Sequence, residues 1–70
     1  MDSKSVGLIV LCERKAQRLR QAELAAAAGV GIRFIADLEA GKPTLQLEKV
    51  LHVLATLRCD VIISPPQGDL

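Results

Sequence analysis

Few side chains in this sequence offer chemistry, and their types narrow what that chemistry can be. Between residues 14 and 42, the cations Arg14, Lys15, Arg18, Arg20, Arg33 and Lys42 stand against only three carboxylates, Glu23, Asp37 and Glu39. The whole chain carries a formal charge of just +1, so the excess is local, and a local excess of this kind forms a face that attracts anions. Catalysis finds no support, because the chain has no Ser/His/Asp grouping, no glycine-rich phosphate loop and no carboxylate pair. Cys12 and Cys59 stand alone, without a CxxC pair or a histidine at ligand spacing. They are expected to be reduced thiols, buried or semi-buried, with no metal site. His52 falls on the outer side of its helix without a partner in sequence and receives no chemistry. No cofactor is called for. The chain reads as a binding protein, not an enzyme.

Helices must position those charges. Residues 4–17 form a first helix with Val6, Ile9, Val10 and the aliphatic part of Glu13 on one face. "QRLRQ" is a short link, with Leu19 as a plug between helices. "QAELAAAA" (21–28) is a run of strong helix formers ended by Gly29, with Leu24, Ala25 and Ala28 on its buried side. A third helix over 31–40 turns Ile35 and Leu38 inward and ends at Gly41. Pro43–Thr44 opens a fourth, with Thr44 as N-cap and Leu47, Val50, Leu51, Leu54 and Leu57 at helical spacing. "CDVIIS" (59–64) is β-branched and reads as a strand, which has to pair with another chain to satisfy its backbone. "PPQGDL" (65–70) is a flexible tail.

Seventy residues make one small domain, 1–70, whose only aromatic side chain is Phe34, so its core must be aliphatic. A core of that size gains from a partner subunit. "VGLIVLC" (6–12) is too short to cross a membrane and is followed by no small-residue cleavage site, which leads us to expect a cytoplasmic protein with no membrane partner.

Two short helices joined by a tight glycine turn, "QAELAAAAGVGIRFIADLE" (21–39), meet the steric demands of a helix-turn-helix motif. Ala25 is small enough for the second helix to cross closely. Gly29 can take the positive φ that the turn requires. Val30, Ile35 and Leu38 are apolar where the motif needs an inward side. The longer stretch "LRQAELAAAAGVGIRFIADLEAGKPTLQLEKVLHVLATL" resembles the Cro/repressor-type (XRE) helix-turn-helix family. It matches at Leu19, Gln21, Leu24, Ala25, Gly29, Val30, Ile35, Leu38, Glu39, Gly41, Lys42 and Pro43. The ending "LRCDVIIS" is similar to the HipB-like (y4mF-type) antitoxin branch of that family.

The resemblance implies an all-α fold: a compact four- to five-helix lambda-repressor-like DNA-binding domain over 4–58, with its motif at 21–40. A short C-terminal β-strand would hold a homodimer through Val61, Ile62 and Ile63. It implies a transcriptional repressor that reads a palindromic double-stranded operator, with a HipA-like kinase toxin as partner. Gln21 and Arg20 at the start of the second helix and Lys42 in the turn after Gly41 would then contact phosphate. Gly31, Ile32, Arg33 and Asp37 would face base edges in the major groove, Arg33 being suited to guanine O6 and N7. Two roles fit Asp37: accepting from a cytosine amine, or pairing with Arg33 at i+4, and the pairing is preferred. Glu39 is expected to be structural, pairing with Arg14 or capping backbone, and Phe34 to pack under the motif.

The sequence departs from the family pattern at three places. Arg20 replaces the usual threonine cap, Arg18 stands where glycine usually ends the first helix, and Gly31 replaces a serine cap. With so little net charge, an alternative function also fits: a helix-turn-helix scaffold that binds a toxin or other protein without specific DNA binding.

Overall fold

Asp2 starts the first helix, α1 (Ser3–Ala16), in the computed structural model, which describes residues 2–58. Its carboxylate accepts from the Ser5 N–H at 2.8 Å, and that hydrogen bond holds the acid below its usual range. The others follow as α2 (Gln21–Ala28), α3 (Ile32–Glu39) and α4 (Leu47–Thr56). The described residues are all helix and turn. The expected strand at 59–64, with Val61, Ile62 and Ile63, and the tail at 65–70 lie outside them.

The core is aliphatic, as the composition requires. Val10, Leu24, Ala25, Ala28, Ile35, Leu38, Val53, Leu54 and Leu57 are buried, with Val6, Leu19, Val30, Phe34, Leu45 and Val50 packed around them. α3 packs on both α1 and α2, and α2 also packs on α4. Leu19 is the plug its position suggested, and Phe34 is half-buried under the motif.

Three expectations about helix faces and starts need correction. Val10 is buried and Val6 packs against the core as expected, but Ile9 is 39 % exposed and Glu13 is exposed, so the buried stripe of α1 is narrower than its apolar residues mark. Gly7 joins Val10 on the inward side, because a residue without a Cβ lets its backbone reach the end of α3. Cys12 is consequently exposed rather than buried. The fourth helix starts at Leu47 with Gln46 as an extended N-cap, and Thr44 sits exposed in the preceding turn. Leu45 packs against the core, which brings the chain inward before the helix can begin. On α4, Val53, Leu54 and Leu57 are buried while Leu47 and Leu51 remain 69 % and 42 % exposed, since no described element covers that side.

The ends of α1, α2 and α3 share one device. In each, two N–H groups beyond the last turn donate back to carbonyls three and five residues earlier, so that the chain reverses through a left-handed residue. In α2 these bonds are Gly29 to Ala26 at 3.3 Å and Val30 to Ala25 at 3.0 Å. In α3 they are Gly41 to Leu38 and Lys42 to Asp37, both 3.0 Å. In α1 they are Arg18 to Lys15 and Leu19 to Arg14, also 3.0 Å. The left-handed residue is glycine twice, Gly29 (φ 70°) and Gly41 (φ 85°), and arginine once, Arg18 (φ 59°).

Candidate nucleic-acid interface

The start of α2 is built by residues from three segments. Arg20 is its N-cap, and its backbone N–H donates to Glu23 Oε1 at 2.8 Å. That is half of a capping box; the other half is missing because a guanidinium has no acceptor. The first-turn N–H groups of α2 therefore have no side-chain cap and point toward any anionic oxygen brought to the helix end.

Gln21 next to it is fixed from behind. Its Nε2 donates to Glu39 Oε1 at 3.0 Å. The same carboxylate accepts from Arg14 Nη2 at 3.1 Å and, through Oε2, from Arg14 Nε at 2.6 Å. Arg14 Nη1 closes the arrangement by donating to the Leu19 carbonyl at 2.7 Å. The Arg14 and Glu39 side chains are only 11 % and 6 % exposed, so the pair is largely shielded from water. Glu39 raises the Arg14 guanidinium's pKa further, against the opposing effect of burial, and Arg14 stays charged. The expected pairing of Glu39 with Arg14 is thus present. Its extension to Gln21 is new, because an 18-residue separation leaves no mark in local sequence pattern.

α3 presents the other candidate surface. Gly31 caps it in extended geometry (φ −76°, ψ 154°) without a side-chain hydrogen bond. Gly31, Ile32 and Arg33 are exposed and Asp37 is half-buried, while Ile35 and Leu38 lie in the core behind them. The preferred Arg33–Asp37 pairing is not formed. Asp37 lies instead 3.8 Å from Lys42 Nζ, because the reversal at Gly41 folds Lys42 back over the last turn of α3. The ion pairs among the described residues are this one and Arg14–Glu39, so Arg33 is left without a carboxylate partner. Lys42 is half exposed, and its pair with Asp37 is long and open to water, worth little in stability.

The expected site residues Arg20, Gln21, Gly31, Ile32, Arg33, Asp37 and Lys42 thus fall on the start of α2, the outward side of α3 and the turn after it. Lys49 adds a cation 6.0 Å from the Phe34 ring centroid, a loose cation–π contact beneath the motif that the sequence did not signal. Among the described residues no acidic, histidine or cysteine cluster is arranged to hold a metal. None of their helices is long and apolar enough to cross a membrane.

Residues 13–62 match the helix-turn-helix family model. The chain is also 61 % identical, over 61 residues, to the uncharacterized HTH-type transcriptional regulator y4mF of Sinorhizobium fredii. The alignment covers 87 % of this chain and 80 % of that protein.

Proposed function

The chain belongs to the helix-turn-helix family, and from that premise we propose that it is a sequence-specific DNA-binding transcriptional regulator. The observation that carries the reading is the pairing of two surfaces on one rigid motif. α3 offers exposed Gly31, Ile32 and unpartnered Arg33, and the uncapped start of α2 is braced by the Gln21–Glu39–Arg14 arrangement. A helix with exposed polar groups at its N-terminal end suits base edges, and a braced helix N-terminus suits phosphate. Arg33 reads guanine, Ile32 packs on a thymine methyl, and Arg20, Gln21 and Lys42 hold the backbone. Asp37, drawn to Lys42, sets the position of that lysine rather than of Arg33.

Arg33→Ala, tested on duplexes enriched by repeated selection with the native chain, should lose discrimination at one base position. The loss is about 1–3 kcal/mol, or roughly ten- to hundredfold. Lys42→Ala should weaken all duplexes together and reduce the log–log salt dependence by about 0.9 per subunit. Gln21→Ala should also weaken all sequences, but with the salt slope unchanged, because its amide is neutral. If none of the three alters duplex binding in fluorescence anisotropy titrations, the assignment is wrong.

The finer reading is a repressor that acts as the antitoxin of a HipA-like kinase toxin and binds a palindrome as a dimer, with half-sites about 34–36 Å apart. The resemblance of the C-terminal sequence to HipB-like regulators supports it. So do Leu8, Ile9, Leu47 and Leu51, which are 58 %, 39 %, 69 % and 42 % exposed and give α1 and α4 apolar surface beyond the core. Strand pairing through Val61, Ile62 and Ile63 is the proposed dimer contact. Deleting residues 60–70 should yield a monomer by analytical ultracentrifugation, and a truncated chain that still sediments as a dimer would remove strand pairing from the reading.

A further inference from the structure

One side of α4 keeps the helical repeat of the core and yet lies open. Leu47, Leu51 and Leu54 follow one another at i, i+4 and i+7, so they form a single stripe. Leu54 is buried, but Leu51 is 42 % and Leu47 69 % exposed, and no described element covers them. At Leu47 the stripe meets an apolar groove of about 310 Å³, bordered also by Val6, Leu38, Leu45 and Val50. A continuous apolar surface of this kind calls for an occupant.

The way the chain leaves α4 supplies one. Arg58 takes a left-handed conformation (φ 61°), and its N–H donates to the Ala55 carbonyl at 3.0 Å. α1, α2 and α3 end in the same step, and in each the next residue, Leu19, Val30 or Lys42, donates to the carbonyl five positions back. Continued at α4, that reversal lays Cys59 against Leu54 and sends the chain back along the stripe. Twelve residues follow Arg58. In extended form each rises about 3.3 Å, which puts Val61 about 10 Å and Ile63 about 16 Å from Arg58. Along the helix, at about 1.5 Å per residue, Leu51 and Leu47 stand at those same two distances. The side-chain pattern agrees. Alternation places Cys59, Val61 and Ile63 on one side of the segment and Asp60, Ile62 and Ser64 on the other.

We propose that residues 59–64 of each chain fold back over its own α4, with Cys59 on Leu54, Val61 on Leu51 and Ile63 on Leu47. The backbone edge of the segment stays free to pair with a second copy. The inference is independent of DNA binding and deepens the dimer reading: a two-stranded ribbon is marginal alone, and packing on α4 gives it the support it lacks.

Thermal denaturation of full-length variants tests the register. Leu51→Ala should melt about 10 °C below the native chain, whereas on a solvated helix face alanine costs nothing. Val61→Ala should melt about 5 °C lower, and joining it to Leu51→Ala should add little, because both remove one contact. The effects of Ile62→Ala and Leu51→Ala should instead be additive. If Leu51→Ala melts with the native chain, or if its loss adds in full to that of Val61→Ala, this segment does not cover the stripe and the inference fails. A short bis-maleimide tests which chain supplies the segment. With Cys12→Ser and Cys59→Ser in place, Leu51→Cys and Val61→Cys should be bridged within one chain, seen as a cross-linked monomer in denaturing mass spectrometry. A bridged species of twice the mass would assign the cover to the partner copy and overturn the proposal. A native chain that sediments as a dimer while Leu51 and Val61 fail to couple would remove this inference and leave strand pairing intact. A monomer in which they couple would do the reverse.

Discussion

Glu39→Ala should lower the melting temperature by roughly 15 °C and weaken duplex binding in the same variant. The carboxylate is 6 % exposed and accepts three hydrogen bonds, two from Arg14 and one from Gln21. Its removal leaves Arg14, 11 % exposed, with only the Leu19 carbonyl as acceptor. Stranding a shielded charge in this way costs about 3 kcal/mol, against a total stability of about 4–10 kcal/mol expected for a chain of this length. At about 5 °C per kcal/mol for a domain of this size, the shift follows. Binding suffers separately, because Gln21 loses the acceptor that orients its amide. The two effects can be parted with the double substitution Arg14→Met and Glu39→Leu, which replaces both charges by apolar groups and should recover most of the stability. It should not recover affinity, since Gln21 still has nothing to hold it. Thermal denaturation followed by circular dichroism, with duplex titration of the same samples, measures both. A single-variant cost below about 1 kcal/mol would mean that Arg14 and Glu39 behave as an ordinary surface pair, and the bracing of Gln21 would fall with it.

The motif itself was legible because its determinants are local. Helix formers over 21–28, a glycine at the turn and inward apolar residues at Val30, Ile35 and Leu38 each point to the same structure, and α2 begins and ends where they place it. The ion-pair partner of Asp37 was not legible for a related reason. Helical spacing brings Arg33 into its neighbourhood, but the partner it takes, Lys42, is delivered by the reversal at Gly41 rather than by helix periodicity. α1 and α4 were harder still. Both carry apolar residues around much of their circumference, so periodicity cannot say which side is covered, and only packing against α3 and α2 decides. Leu47 and Leu51 obey the helical repeat and still face outward. Gln21 shows the limit most clearly: its place at the head of α2 could be read from the sequence, whereas the carboxylate behind it arrives from the far end of α3.

Gly7→Ala, a change that usually strengthens a helix, should instead destabilise this one by about 2 kcal/mol and lower the melting temperature by about 10 °C. In an open helix interior alanine gains about 0.5–1 kcal/mol over glycine, through the smaller backbone entropy lost on folding. At Gly7 the added Cβ would overlap the Leu38 carbonyl oxygen and stand 3.0 Å from that of Glu39. Both obstacles are backbone atoms at the end of α3, so no change of rotamer relieves them. α1 must lift away from α3, and overpacking of this kind costs about 1–3 kcal/mol, enough to reverse the propensity gain. The displacement would also reach the interface, because Gly7 lies two turns before Arg14 on the same side of α1, and Glu39 sits at the contact being forced apart. Duplex affinity should therefore fall along with stability. Glu13→Ala tests whether the effect belongs to this contact: Glu13 is exposed on α1, and its truncation should shift the melting temperature by no more than a few degrees. A Gly7→Ala variant that melts at or above the native temperature would show that α1 can ride higher on α3 without loss. The close approach of the two helices would then not be what fixes Glu39 beneath Gln21.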